Sequence, residues 1–265
     1  MAATDKRLPV PLADSVVVIA GGTAGVGLAT AHKFAGQGVK KLVIVGRDAA
    51  RGLDARAAVK SAHPQIDIEF LSADANRASE ATRICEFAHQ RFGAVHVLVN
   101  STVGPAGPTV LHQIPIGDIE SILLAQIMGP LLMCRAVLPY MREQATGVII
   151  NVASDAGKLA TPGETVIGAA MAGIIMFTRT LAIEAKRNGI RVNVLTPSLI
   201  EGTLTNARMM TQPFATKLFE KAREAANLGV AVADDLAELI VFLASPGAAK
   251  ITGQAISVNG GISAA

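Results

Sequence analysis

The chain has 265 residues, 51% of them hydrophobic and 17% charged, and its net charge of +3 comes from scattered Lys and Arg. A sizeable core is easily built from that composition, while a basic nucleic-acid or acidic-lipid surface is excluded, and with no Trp and one Tyr there is no stacking platform for bases. Cys85 and Cys134 sit in apolar helical surroundings and read as buried thiols rather than a disulfide or metal site.

The N-terminal MAATDKRLPVPLADS lacks the charge-then-apolar order of a signal peptide, which points to a cytoplasmic protein with an extension over 1–14. VVVIA (16–20) follows as a first strand, then the glycine-rich AGGTAGVG (20–27) and a helix over 26–37. Gly21 can supply a tight turn, Gly25 lets backbone approach a phosphate, and Gly27 permits close helix–strand contact. A helix that opens directly on such a loop presents free N–H groups to an anion, so this is a dinucleotide-type phosphate loop or, failing that, a structural turn.

The second strand, KLVIV (41–45), ends in VGRD. No carboxylate stands at Gly46 to grip a ribose diol, and the guanidinium of Arg47 suits a 2′-phosphate, so NADP is favoured over NAD if a dinucleotide binds. Asp48, one place late, reads as the cap of a helix over 49–62. Further strands follow at 68–73, 95–100, 147–153, 190–197 and 255–258, with helices at 77–92, 117–142, 165–188 and 233–244. The strand runs are nearly continuous in β-branched residues, as in parallel strands covered on both faces. The alternation implies right-handed crossovers and one α/β, doubly wound Rossmann-type domain over 1–265, its parallel sheet of about seven strands flanked by helices.

Two stretches stand out. The polar, Met- and Ala-containing segment 199–232 breaks the rhythm and reads as a substrate lid or wall, or else as an ordinary surface helix pair. The apolar run 121–140 contains Gln126, Pro130 and Arg135 and keeps the βα rhythm, so it reads as a buried helix shared with a partner subunit and not a membrane span.

These motifs resemble the short-chain dehydrogenase/reductase (SDR) family over nearly the whole chain. AGGTAGVG is similar to that family's TGxxxGxG, with Ala20 for Thr. Asp74 matches its adenine-contacting Asp, and LVNSTVG (98–104) stands where LVNNAG is expected, keeping Asn100. GVIINVAS (147–154) matches the strand ending in the catalytic Ser, and 177–197 and 251–261 lie close to the family pattern. The resemblance implies a cofactor set of Gly21, Thr23, Gly25, Val26, Gly27, Arg47, Asp74, Asn100 and Thr203.

It also implies a mechanism, in which a Tyr exchanges the substrate proton, a Lys four residues later lowers that Tyr's pKa, a Ser orients the carbonyl, and an Asn on the long helix supports a water relay. In this chain Ser154 remains. The family's YxASK falls on IGAAM (167–171), whether counted forward from Ser154 or back from FTRTLA. Ile167 therefore replaces the Tyr, Ala170 the intervening Ser and Met171 the Lys, within the dry run VIGAAMAGIIMF (166–177). Gln126, in AQIMG (125–129), replaces the Asn. Ile and Met carry no proton donor, and loss of a general acid costs about 10²–10⁴ in rate. Ser154 and Gln126 are the remaining catalytic candidates. Lys158 and Glu164, in the loop between Ser154 and the altered helix, and His112, in the loop after the fourth strand that borders the substrate in this family, are other groups that could substitute; Cys134 sits on a helix that looks buried, and Tyr140 lies at the far end of the long helix.

Three functions fit this pattern. One is an NADP-dependent oxidoreductase with a non-standard site for a hydrophobic carbonyl or acyl substrate, an apolar pocket being suggested by Ile167, Met171, Met209 and Met210. A second is a silent subunit paired with an active relative. The third is a nucleotide or ligand sensor. The family's tetramer, built on the helices at 117–142 and 165–188, implies a homotetramer or a hetero-oligomer.

Overall fold

In the computed structural model, which describes residues 9–265, the β-branched runs become strands covered on both faces. In chain order the strands are β1 (Val16–Ala20), β2 (Lys41–Gly46), β3 (Asp67–Ser72), β4 (Val97–Asn100), β5 (Gly147–Val152), β6 (Ile190–Pro197), β7 (Ile200–Glu201), β8 (Ala231–Val232) and β9 (Ala255–Val258). Seven of them pair in the order β3-β2-β1-β4-β5-β6-β9, every pair parallel, and β7 and β8 form a separate two-stranded piece. The helices are α1 (Gly25–Gly36), α2 (Ala49–Ala62), α3 (Ala78–Phe92), α4 (Ile119–Glu143), α5 (Thr165–Ala185), α6 (Leu204–Met209), α7 (Pro213–Ala225) and α8 (Ala233–Ala244).

The period of two along each strand sorts the core into two halves. Val17 and Ile19 of β1 join Leu42, Ile44, Val97 and Val99 on the face covered by α1, α2 and α8. Val18 and Ala20 join Val43, Val45, Leu98 and Ile149 on the face covered by α3, α4 and α5. Every β1 residue is buried, which is why the run carries no polar alternation.

Elements end where local chemistry ends them. The expected 95–100 strand starts at Val97, because the His96 ring turns back and its Nδ1 accepts from Val16 N at 2.9 Å. The helix expected to reach 188 closes at Ala185, tightens into a 3₁₀ turn over Lys186–Asn188, and stops at Gly189 with φ +72°. Asp48 caps α2, its Oδ1 accepting from Arg51 N at 3.0 Å. Of the expected extension, residues 1–8 lie outside the described residues; Leu12 packs on the core, and Ser15 Oγ donates to Pro11 O at 3.0 Å. Ile116–Glu143 and Thr165–Asn188 have the length and composition of membrane spans, yet they pack on each other and on the sheet, giving Met133, Cys134, Leu181 and Ala182 to the core.

One polar cluster crosses this core. Asn151 on β5 accepts from Asn100 Nδ2 at 2.8 Å and donates to Thr178 Oγ1 at 2.9 Å, tying β4, β5 and α5 together. All three residues are fully enclosed, so removing the central one leaves its partners desolvated and short of a hydrogen bond. Asn151→Ala is expected to destabilise the chain by about 2–4 kcal/mol, read as a lower urea midpoint with the slope of the transition unchanged.

Candidate functional site

Strand order reverses between β1 and β4, and in open α/β sheets the crevice at the carboxyl ends of such strands is where ligands bind. A cavity of about 420 Å³ opens there. It runs from Arg47 and Asp74, past the glycine loop, to Ser154, Ile167 and Met171 under α6.

The phosphate end is built by absent side chains. Gly21 adopts φ +83°, and a Cβ on it would lie 2.4 Å from Ser101 O. A Cβ on Gly27 would lie 2.1 Å from Gly21 O, so only glycine lets α1 start directly against the loop. Ala24, the N-cap of α1, offers no capping side chain, which leaves the first N–H groups of a twelve-residue helix facing the cavity. Gly46 is shut in by Thr23, whose Cγ2 and Oγ1 would stand 2.7 Å from a Cβ there; an acidic side chain has no room at that position. Arg47 lines the cavity instead, joined by Arg51 one helical turn on.

Of the expected site residues, Gly21, Thr23, Gly25, Val26, Arg47, Asp74 and Thr203 line this cavity. Thr203 reaches over the loop, its Cγ2 3.5 Å from where a Gly25 Cβ would be, and its Oγ1 caps α6 by accepting from Asn206 N at 3.1 Å. Gly27 acts one layer behind, as the contact point of α1. Asn100 does not line the cavity; its Nδ2 donates to Asn151 Oδ1 at 2.8 Å within the core.

Several lining residues went unread in the sequence. Arg51 follows Arg47 by four in RDAAR, a helical spacing that is a usable signal. Asn76 and Asn206 each keep a buried side-chain oxygen without a protein partner, as a polar ligand would need. Asn206, Arg208 and Met209 come from α6 and Phe219 from α7, so the 199–232 segment walls the cavity.

At the chemical end Ser154, Gln126, Ile167 and Met171 all line the cavity. Ser154 Oγ accepts from Ala156 N at 3.2 Å, starting a 3₁₀ turn, and its O–H stays free to donate. Gln126 is enclosed, and its Oε1 accepts from Gly104 N at 3.1 Å, which fixes the 101–108 wall to α4. Among the described residues no Tyr, Lys, His or Cys lines this cavity. Tyr140 stacks on His89, with ring centroids 4.7 Å apart, within the α3–α4 layer. Lys158 pairs with Asp155 at 3.5 Å and donates to Ala265 O at 2.6 Å, holding the C-terminus. His112 is exposed on a separate turn. Cys134 is in the core, where burial pushes its thiol up to about 12.

Glu164, the N-cap residue of α5, does line the cavity. Its side chain makes no capping bond, and burial pushes its carboxyl up from 4.5 to about 7. A carboxyl raised on folding adds stability that is fully present below the unfolded value and is lost as pH climbs through the folded one. The window here runs from about 4.5 to about 7. Glu164→Gln, which cannot ionise, is therefore expected to melt roughly 2–6 °C above wild type at pH 8.5 and no higher than wild type at pH 4.5, as read by calorimetry.

Comparison with known proteins agrees with this architecture. Residues 20–263 match the family described as Enoyl-(Acyl carrier protein) reductase. The chain is 32% identical over 258 residues to 3-oxoacyl-(acyl-carrier-protein) reductase FabG of Thermotoga maritima, covering 95% of this chain and 98% of that protein. It is 28% identical over 256 residues to 2-(R)-hydroxypropyl-CoM dehydrogenase of Xanthobacter autotrophicus, covering 94% and 98%. The crystal structure of levodione reductase superposes with a TM-score of 0.88 at 26% identity, covering 94% of this chain and 97% of that one. With the sheet order, the glycine cradle and these relatives together, the chain belongs to the short-chain dehydrogenase/reductase family.

Proposed function

We propose that this protein is a cytoplasmic oxidoreductase that binds NADP(H) and interconverts a carbonyl and an alcohol on an apolar, acyl-type substrate, without the tyrosine–lysine pair of its family. The observation that carries this reading is the continuity of the cavity, which joins the glycine cradle and two arginines to Ser154 and an apolar wall. The N–H groups opening α1 suit a pyrophosphate, Arg47 and Arg51 a 2′-phosphate, and Asp74 the adenine end. When bound, the coenzyme supplies or accepts two electrons and a hydrogen. Ser154 has a free O–H to orient a carbonyl, while Gln126 holds the wall beside it.

Ile167 and Met171 make that end of the cavity apolar, and a side pocket of about 110 Å³ lined by Ile114, Ile122 and Val166 opens next to Ile167. An acyl chain suits both. The 3-oxoacyl relatives share the substrate class that this wall favours, a ketone one carbon removed from a thioester.

A second reading, the silent subunit, draws on the same Ile167 and Met171 and on exposed apolar residues of α4 and α5, among them Leu124, Met176 and Ile183. Those side chains favour pairing of the helix layer with another copy or a relative. Native mass spectrometry of the protein from its own cells is expected to show a homotetramer; a mixed assembly carrying an active relative would favour the silent role instead.

Coenzyme binding itself is tested by NADPH fluorescence. Addition of protein is expected to blue-shift and enhance the emission, and Arg47→Ala to weaken NADPH binding about 10–100-fold with less than about a threefold change for NADH. Absence of any spectral change at high protein excess would overturn the reading.

A further inference from the structure

An alkoxide formed at a reduced carbonyl must be protonated as it forms, and an oxidised alcohol must lose its proton. If the cavity is an oxidoreductase site, as proposed above, one of its own side chains has to carry that proton. Two carboxyls line it: Asp74 at the β3 end, beside the arginines, and Glu164 at the end occupied by Ser154, Ile167 and Met171. Glu164 precedes Ile167 by three residues and Met171 by seven, the spacing of one helical face, and the three share the cavity wall. We propose that Glu164 is the proton donor and acceptor of this protein, standing one helical turn before the position where the family carries its phenol.

The local chemistry leaves the carboxyl little else to do. A structural N-cap residue would bond the free N–H groups of α5, and Glu164 does not. A surface glutamate would be solvated or paired, whereas Glu164 lines the cavity, only partly exposed, and takes part in no ion pair among the described residues. The cations that share the cavity are Arg47 and Arg51 at the phosphate end and Arg208 on α6, whose Nη2 donates to Gly104 O at 3.2 Å. On the elements around α5, His112, Asp118 and Lys158 all lie off the cavity wall. Desolvation is thus the dominant influence on the carboxyl, and it holds the group neutral up to about pH 7.

The same logic gives Met171 a purpose. A lysine there would place a cation one helical face from the carboxyl, favour its ionised form and depress its pKa, leaving no acid at neutral pH. Apolar residues at 167 and 171 keep the donor protonated. In the reducing direction a bound reduced nicotinamide coenzyme would supply the hydride that forms the new C–H bond at the carbonyl carbon. The π pair moves to oxygen, and that oxygen takes the proton as the Glu164 O–H bond breaks. The carboxylate is then reprotonated from water, so each turnover consumes two electrons from the coenzyme and one solvent proton.

The test uses the full chain with NADPH and two probes, acetoacetyl-N-acetylcysteamine and 1,3-cyclohexanedione. Glu164→Gln is expected to lower kcat about 10²–10⁴-fold while the NADPH Kd stays within about twofold, and Glu164→Asp to retain part of the rate. Wild-type reduction should decline above about pH 7, and this limb should vanish in Glu164→Gln. Independently of activity, ¹³C-glutamate NMR of the chain without coenzyme should show one carboxyl titrating near neutrality that disappears in Glu164→Gln. Wild-type rate and pH profile in the glutamine variant would overturn the assignment, as would a Glu164 carboxyl that titrates in the ordinary range. If the glutamine variant does not fold, Glu164→Asp decides: a rate at the wild-type level overturns the role, and a loss beyond tenfold at unchanged NADPH affinity supports it. NADPH binding with neither probe reduced removes the proton-transfer role and leaves coenzyme binding standing; failure to bind NADPH removes both.

Discussion

Three backbone segments meet at the head of β1 with no space for a side chain between them. The loop at Gly21 presses on Ser101 at the end of β4, and α1 at Gly27 presses on the carbonyl of Gly21, both closer than any Cβ allows. Carbon contacts relax near 3.5–4.0 Å, so a methyl at either glycine would push α1 off the loop or part β1 from β4. The helix would then no longer point its free N–H groups into the cavity. Everything downstream, from the opposed arginines to Ser154, is measured from that contact.

The distribution of charge along the cavity follows from the sheet. β2 and β3, outboard of the switch point, bring Arg47, Arg51 and Asp74, where solvent can help stabilise charge. β5 and α5, on the other side, bring Ser154, Ile167 and Met171. One end is therefore polar and cationic and the other is dry, with α6 laid across both. A ligand that fills the cavity must itself be charged at one end and apolar at the other. A phosphorylated dinucleotide beside an acyl group has that profile.

Much of this could be read directly from residue order. VVVIA and the LVIV of KLVIV are apolar and rich in β-branched residues because both faces of their strands are buried. The glycine loop and Arg47 were legible because backbone geometry and a fixed guanidinium leave a one-residue signature. The place of Asn100 was not legible because a side chain's direction is a tertiary fact: β4 lies between β1 and β5, and its Nδ2 donates to Asn151 on β5. Met209 was legible as part of an apolar pocket, but Asn206 and Arg208 were not, for a different reason. α6 is six residues long, too short for a periodic face, and its place over the cavity is set by Thr203 and the β7–β8 pairing.

The dry run 166–177 shows where such reading stops and physics has to continue. Taken alone, Ile167 and Met171 describe a loss, since neither holds a proton. In the folded chain they share a cavity wall with Glu164, whose carboxyl burial pushes up to about 7, and an apolar wall is what the proposed neutral acid needs. A phenol needs a nearby cation to bring its pKa down toward neutrality, whereas a carboxyl needs cations kept away and water excluded to bring its pKa up. The two solutions demand opposite neighbours, so a chain moving from one to the other cannot keep the lysine. Among the described residues the cavity wall holds no Tyr and no Lys and keeps a glutamate without an ion pair one turn before Ile167, which is the arrangement the proposed exchange requires.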